Sequence, residues 1–441
     1  MQSMTDWTSL FARHVATLME RYTEGLALAD YHGVVIPAGS PDRRFQDDQG
    51  YPFWGNPFFR QWVPSRGAPE SMLIFVPGET VQLMHYQPRD YWHVAPEPAD
   101  AYWANALDIQ VIDRPDQLRD CLPQDLSRFA LLGYEDGRFS SWGLGAINPP
   151  ELMHYLTWIR AYKTPYEQAC MREANRIAAH AHQAAADAFH EGLSEFDIHL
   201  RYLAASRHRE CELPYGNIVA LNEHGAVLHY DDYDREPPAE RHSFLMDAGA
   251  SFRNYHADIT RTYAAEKGDF ADMVERMHTE QLGIISDIRV GISYGEFHDA
   301  MHRRIAGVLS DFDLVRLPAE AIYDRGYTRT FFPHGLGHLI GLQTHDVGGW
   351  LTGADGAQVG RHPDYPALRL QRKIEPDMLF TIEPGLYFID QLLSEHVGCA
   401  DFNWSRIESL KPFGGIRIED TVLVKDGDTE NFTRPFLTSK H

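Results

Sequence analysis

Apolar residues near the start of the chain recur at helical spacing. Trp7, Leu10, Phe11, Val15 and Leu18 fall on one stripe, and Arg13, His14, Glu20 and Arg21 fall elsewhere, which predicts an amphipathic helix. The period then shortens. GVVIPAG (residues 33–39) is a continuous apolar run of buried-strand length, and SMLIFVPGETVQLMHY (residues 71–86) reads as strand, Pro-Gly-Glu turn, strand. Up to about residue 155 short strands, aromatic-rich loops and helical pieces alternate, giving a compact α/β domain with no chemical cluster of its own. The pattern changes at AYKTPYEQACMREANRIAAHAHQAAADAFHEG. Thr164, Pro165 and Glu167 supply an N-cap, an N1 proline and a capping-box glutamate, and Gly192 supplies the stop. Ser194 and Asp197 repeat the capping pattern, and FADMVERMHTEQLGIISDI and SYGEFHDAMHRRIAGVL predict two more helices, interleaved with strand-like segments. The fold class is α/β (α+β), with a smaller N-terminal α/β domain at residues 1–160 and a larger domain at residues 161–441.

Against that patterning some acidic residues are out of place. LMDAGASFRNYHADITRTY sets Asp247 and Asp258 among the apolar, aromatic and β-branched types of a half-buried strand. A reversal at Phe252–Arg253 puts the two opposite each other on one face, where like charges repel. Glu383 lies in MLFTIEPGLYF and Glu419 in GGIRIEDTVLV, both otherwise core-like strands. A carboxylate in such a setting is costly unless a cation sits beside it. FFPHGLGHLIGLQTHDVGG adds His334, His338 and His345. Each residue has an ordinary reading on its own: a hairpin-edge or turn acid, a loop histidine, a strand-end glutamate, or Glu419 paired with Arg417 two positions away. All of those readings must hold together to remove the need for a shared cation.

Composition narrows the class. At 441 residues the chain is long enough for two or three domains and a large core. A formal charge of −23 argues against nucleic-acid and anionic-membrane surfaces, and part of that excess suits an internal site awaiting cations. Cys121, Cys170, Cys211 and Cys399 are scattered with no CxxC pair, which suits a reducing compartment. No secretory segment and no bilayer-length apolar run are present, so the expected location is cytoplasmic. The acidic patch DDYDRE (residues 231–236) lacks EF-hand spacing and reads as a solvated loop.

The order Asp, Asp, His, Glu, Glu resembles the pita-bread metallopeptidases. The strings YPFWGNPFF, YKTPYEQACMREA, NIVALNEH, FFPHGLGH and LKPFGGIRIED resemble the bacterial Xaa-Pro dipeptidases (prolidases), including their organophosphorus acid anhydrolase members. The resemblance implies a creatinase-like first domain and a pita-bread catalytic domain. It implies that Asp247, Asp258, His338, Glu383 and Glu419 hold two divalent metal ions, usually assigned as Mn2+, with Asp258 and Glu419 bridging. Four carboxylates and a neutral imidazole carry a charge that two dications cancel. A hydroxide held between the two metals then attacks the peptide carbonyl.

By the same resemblance Glu383 carries the proton to the leaving nitrogen, and His229 and His345 contact substrate and the tetrahedral intermediate. His334 lines the same wall. Arg369 clamps the free carboxylate of a dipeptide, Arg417 orients Glu419, and Tyr215 and Tyr294 are further pocket candidates. Thr344, where valine is frequent, is a departure expected to change pocket polarity. A homodimer is implied, with Asp48 of the loop RRFQDDQGYPF near a partner's pocket. The activity implied is hydrolysis of Xaa-Pro dipeptides, with a side activity on organophosphorus esters and fluorides. The alternatives are Xaa-Pro aminopeptidase (aminopeptidase P), which takes longer peptides, and a peptide-binding module without turnover.

Overall fold

A computed structural model describes residues 5–65, 68–92, 101–134 and 137–437. Two compact units emerge, one made of Met1–Cys170 with Arg253–Tyr255 and Gly353–Ala357, the other of Met171–Phe252, His256–Thr352 and Gln358–His441.

The first unit is built on six strands, β1 (Gly33–Pro37), β2 (Met72–Phe75), β3 (Gln82–Tyr86), β4 (Asp108–Ile112), β5 (Phe129–Leu131) and β6 (Ala146–Ile147), in the order β4-β3-β2-β1-β5-β6. β1 runs antiparallel to β2 and parallel to β5. Both faces of the sheet centre are covered, which is why GVVIP is apolar throughout instead of alternating. Val35, Ile74, Met84 and Leu131 join one core cluster. Toward the other face Tyr22 of α1 (Trp7–Leu28) packs edge-on against Trp62 of α2 (Pro57–Trp62) and Phe75. α1 buries His14 as well as Phe11, Val15 and Leu18, so His14 belongs to the inward stripe and not to a solvent face. Its ring lies 2.8 Å from Thr164 Oγ1 and 2.9 Å from the Gln61 carbonyl, which replaces the water it gives up. α3 (Pro150–Ile159) completes this unit.

The expected capping box opens α4 (Pro165–Glu191): the Thr164 amide donates to Glu167 Oε2 at 2.7 Å, and Gly192 at φ +91° ends the helix. In the second unit α4 presents Ala181, Ala185 and Ala188, all fully buried, with Ile198 and Tyr202 of α5 (Glu195–Ser206). They pack on Val219 and Leu221 of β7 (Ile218–Leu221) and on Phe244 and Met246 of β8 (Ser243–Asp247). Because strand side chains alternate, Leu245 and Asp247 point to the opposite, inner face.

From β8 the chain forms a hairpin through β9 (Ser251–Phe252), β10 (Tyr255–His256) and β11 (Thr260–Ala264). The turn falls at Arg253–Asn254, both at positive φ (51° and 73°), the pattern of a type I′ hairpin turn, and not at Phe252–Arg253. Asp247 therefore faces Thr260 instead of Asp258. The register moves by two positions, so the two aspartates still share a face.

α6 (Asp269–Ser286) and α7 (Tyr294–Asp311) pack on each other, α6 against β11, and Gln281 and Tyr294 bond carbonyls of β12 (Leu379–Ile382), the first of a second set of strands with β13 (Gly385–Tyr387), β14 (Gly415–Arg417), β15 (Asp420–Lys425) and β16 (Asp428–Asn431). β15 pairs with β12 and β16, and β13 with β14. A bridge between Thr260 and Glu419 joins the two strand systems. Among the described residues no helix is long and apolar enough to cross a membrane.

Candidate metal centre and active site

Strand parity and two bridging contacts bring the acidic residues of the second unit together. Asp247 ends β8 on its inner face, Asp258 precedes β11, Glu383 follows β12, and Glu419 sits between β14 and β15. His338 arrives on a loop stitched to β12: its amide donates to Thr381 Oγ1 at 3.2 Å, and its carbonyl accepts from the Thr381 amide at 2.9 Å. His338 Nε2 then lies 3.4 Å from Asp258 Oδ2, 3.7 Å from Glu383 Oε1 and 3.9 Å from Glu419 Oε1. The ring's Nδ1 is 3.0 Å from the Leu339 carbonyl, an acceptor only, so Nδ1 carries a proton and Nε2 faces the carboxylates, which raise the ring above its ordinary value despite its burial.

Gly337 makes this approach feasible. A Cβ at that position sits 1.9 Å from the Thr381 carbonyl oxygen and 2.5 Å from the Tyr294 hydroxyl. Replacing Gly337 by alanine is expected to push the loop off β12. Severe core overpacking costs about 1–3 kcal/mol or more, so denaturant unfolding should show a lower midpoint and elemental analysis a lower metal content.

The residues fit a cationic centre. Glu419 is 2 % exposed and its Oε1 has no hydrogen-bond partner among the described residues, while its Oε2 accepts from Thr260 Oγ1 at 2.9 Å. An orphaned carboxylate oxygen in a buried site calls for a cation. Asp258, His338 and Glu419 each offer a ligand atom within 4.8 Å of the others. Without a cation, burial and the neighbouring carboxylates strain the cluster. Burial, then Asp258, pushes Asp247 up to about 6. Burial pushes Glu383 up to about 7, and burial with three carboxylates beside it pushes Glu419 well above the usual range. Asp258 moves down despite its burial, because His338 stands against it.

The positive charge already present goes to Asp247. Arg417 Nη2 pairs with Asp247 Oδ2 at 2.9 Å, its Nε donates to Thr260 Oγ1 at 3.2 Å and its Nη1 to the Tyr387 hydroxyl at 2.9 Å. Arg417 thus reaches Glu419 through Thr260, and the direct pairing of the two residues, the ordinary reading of the sequence, is not formed among the described contacts. Tyr387 passes the contact on to His334 Nε2 at 2.8 Å, while His334 Nδ1 donates to the Gly335 carbonyl. Sequence reading missed Thr260 and Tyr387, since both look like ordinary strand formers.

Tyr215 stands closer to the centre than a peripheral pocket residue. Its hydroxyl is 2.8 Å from Asp247 Oδ1 and 2.5 Å from Asp258 Oδ1, and burial among carboxylates holds it a neutral phenol. Tyr294 is fully buried and donates to the Thr381 carbonyl at 2.9 Å, supporting β12 from behind instead of facing substrate. Thr344 spends its hydroxyl on His256 Nδ1, 3.1 Å away.

These groups open into a cavity of about 260 Å³. The four acids, His338 and Arg417 line it, and the rest of its wall includes His229, His334, His345 and Arg369; Tyr215 and Tyr294 do not line it. Arg369 Nη1 donates to His345 Nε2 at 3.0 Å, so the proton of a neutral His345 sits on Nδ1. Burial, His338 and Arg369 push His345 down to about 3.

A second group of potential ligands, Glu195, His224 and Asp234, is satisfied without an ion. Glu195 accepts from the Leu221 and Asp234 amides, from His224 Nδ1 and from the Tyr230 hydroxyl, at 2.7 to 2.8 Å. The neighbouring acids of residues 231–236 are exposed, as a solvated loop should be.

Comparison with known proteins identifies the family. Residues 169–426 match metallopeptidase family M24, and residues 9–158 match the N-terminal domain of Xaa-Pro dipeptidases. The chain is 45% identical over 429 residues to an Xaa-Pro dipeptidase of Pseudoalteromonas translucida, covering 96% of this chain and 98% of the relative. It is 44% identical over 436 residues to one of Xanthomonas euvesicatoria, covering 98% of each. The fold also matches Pseudomonas aeruginosa aminopeptidase PepP, with a TM-score of 0.75 at 22% identity over 98% of this chain and 96% of that one. The chain therefore belongs to metallopeptidase family M24 and carries the N-terminal domain of the Xaa-Pro dipeptidases.

Proposed function

We propose that the protein is a divalent-metal-dependent dipeptidase that hydrolyses the Xaa-Pro bond of dipeptides ending in proline, using two divalent ions, for which the family resemblance points to Mn2+. The observation that carries this reading is the convergence of Asp258, Glu383 and Glu419 on Nε2 of His338, with Asp247 joined to Asp258 through the Tyr215 hydroxyl in the same cavity and a buried Glu419 oxygen that no described residue satisfies. The four acids and His338 would hold the ions. When bound, divalent ions polarise the scissile carbonyl and acidify water. Glu383, whose carboxyl stands in the cavity between His338 and His334, is placed to take a proton from an attacking water and hand it to the leaving nitrogen. A proline nitrogen is a tertiary amide and leaves only once protonated, so this transfer matters more here than for an ordinary peptide. His345 offers its Nδ1–H, and with His229 it is placed to touch substrate at the cavity wall.

Arg369 supplies the dipeptide selectivity in this reading, because a guanidinium can clamp a free carboxylate. Replacing Arg369 by alanine is expected to raise KM for Ala-Pro about 10- to 100-fold, the range of a charged hydrogen bond. Steady-state kinetics on Ala-Pro and Ala-Pro-Ala checks it. Wild-type preference for the tripeptide would instead indicate an aminopeptidase P activity, and no peptidase gain when Mn2+ is added to metal-free protein would indicate a binding module. A side activity on organophosphorus P–F or P–O bonds is accessible to the same cavity, and fluoride release from a fluorophosphate decides it. We further propose a cytoplasmic homodimer. The free thiols Cys121, Cys170, Cys211 and Cys399 support a reducing compartment, and a sedimentation mass tests the pairing.

A further inference from the structure

α7 carries two histidines, His298 and His302, one turn apart and both fully buried. A buried imidazole pair is usually core filling, and ring contacts support that much here: Tyr365 stacks on His302 at 4.5 Å and meets His298 edge-on at 4.4 Å. The polar contacts are directional, however, and they lead to the metal-site loop. The Leu336 amide donates to His298 Nδ1 at 3.2 Å. An amide can only donate, so Nδ1 is the bare nitrogen and a neutral ring holds its proton on Nε2. That nitrogen faces His302 Nε2 at 3.1 Å. His302 Nε2 must accept, which leaves its proton on Nδ1, 2.9 Å from Thr328 Oγ1. Burial depresses both rings and keeps them neutral, consistent with a fixed pair of opposite tautomers.

The peptide held by this pair is central to the site. The Leu336 carbonyl accepts from the Glu383 amide at 2.7 Å, and His338 follows two residues later. Gly335 and Gly337 flank it, and a Cβ on them would lie 3.1 Å from Leu368 Cα and 1.9 Å from the Thr381 carbonyl oxygen, respectively, so the loop has little room to move toward its neighbours. We propose that His298 and His302 are positioning residues, a tautomer-locked pair that fixes the Leu336 peptide and through it sets Glu383 and His338. This role rests on the peptidase reading for its kinetic consequence but not for its geometry.

The test uses both. In metal-free full-length protein labelled with 15N-histidine, the two rings, assigned by their loss in the variants, should show opposite neutral tautomers, Nε2–H for His298 and Nδ1–H for His302. Asparagine places an acceptor where Nδ1 stood, so His298→Asn should keep kcat within about threefold. His298→Leu leaves the Leu336 amide unsatisfied and should lower kcat about 10- to 100-fold with KM little changed. Matching tautomers, an equal fall in both variants, or a leucine variant as active as wild type would overturn the proposal. If the leucine variant fails to fold, the tautomer spectrum of the wild type still decides it. A wild type lacking peptidase activity with opposite tautomers would count against the functional reading alone.

Discussion

Replacing Glu383 by glutamine is expected to lower kcat for Ala-Pro by about 10²- to 10⁴-fold, the span of general acid–base contributions. Glutamine preserves the shape and the anchoring of the backbone, whose amide is held at 2.7 Å by the Leu336 carbonyl. What it removes is a side chain that can gain and release a proton. Glu383 Oε1 stands 3.7 Å from His338 Nε2 and Oε2 stands 3.6 Å from His334 Nδ1, so the carboxyl is held between two rings at the edge of the cavity. The substitution also withdraws one negative charge from the centre, so metal occupancy must be measured beside the kinetics. A kcat within tenfold of wild type at full metal occupancy would sink the proton-transfer role. A loss of activity that excess metal restores would reassign Glu383 to ligation alone.

The residues at this centre were visible in the sequence because they violate patterning. An acid inside LFTI-E or between Ile418 and Thr421 has no business in a core strand, and Asp247 and Asp258 broke the same rule. Reading them as one group needed only the cost of burying like charges. Their connections were not visible, for reasons that are local and physical. The hairpin turned one residue later than expected because Asn254 tolerates positive φ better than Phe252 does, and a two-residue turn centred on Arg253–Asn254 fixes the register. Arg417 looked like a partner for Glu419 because sequence shows only the neighbour two positions away. In the fold, β14 lies near β8, and Asp247 takes the guanidinium. Thr260 carried no signal, since threonine is expected in strands. Only the bridge to Glu419 turns its hydroxyl into a donor for that carboxylate. The first unit was legible as a sheet from GVVIP and the Pro-Gly hairpin. The inward His14 was not, because its partners, Gln61 and Thr164, come from distant segments.

Removing the divalent ions is expected to abolish peptidase activity and to leave a protein whose lost stability depends on pH in a defined direction. In the metal-free chain Asp247 rises from 3.8 to about 6 and Glu383 from 4.5 to about 7, burial being the largest cause of each, and burial raises Glu419 as well. A carboxyl whose folded pKa is raised binds its proton more tightly folded than unfolded. Its contribution to stability is therefore complete below about pH 4 and is lost as the pH climbs through 6 and 7. Each tenfold change in proton affinity is worth about 1.4 kcal/mol, so Asp247 alone corresponds to roughly 3 kcal/mol, and the groups act as one cluster instead of adding. Asp258 is depressed and works in the opposite sense, but its window lies below 3.8. Bound ions keep the carboxylates ionised, so the loaded protein does not suffer this loss, and at a hundredfold excess over Kd each ion adds about 2.7 kcal/mol. Thermal melts of loaded and chelator-stripped protein at pH 5 and pH 8 should show a Tm gap that widens with pH, with activity returning when Mn2+ is restored. A gap that stays constant or narrows would mean that the buried acids are neutralised by the protein itself, and Glu419 Oε1 would then need another partner.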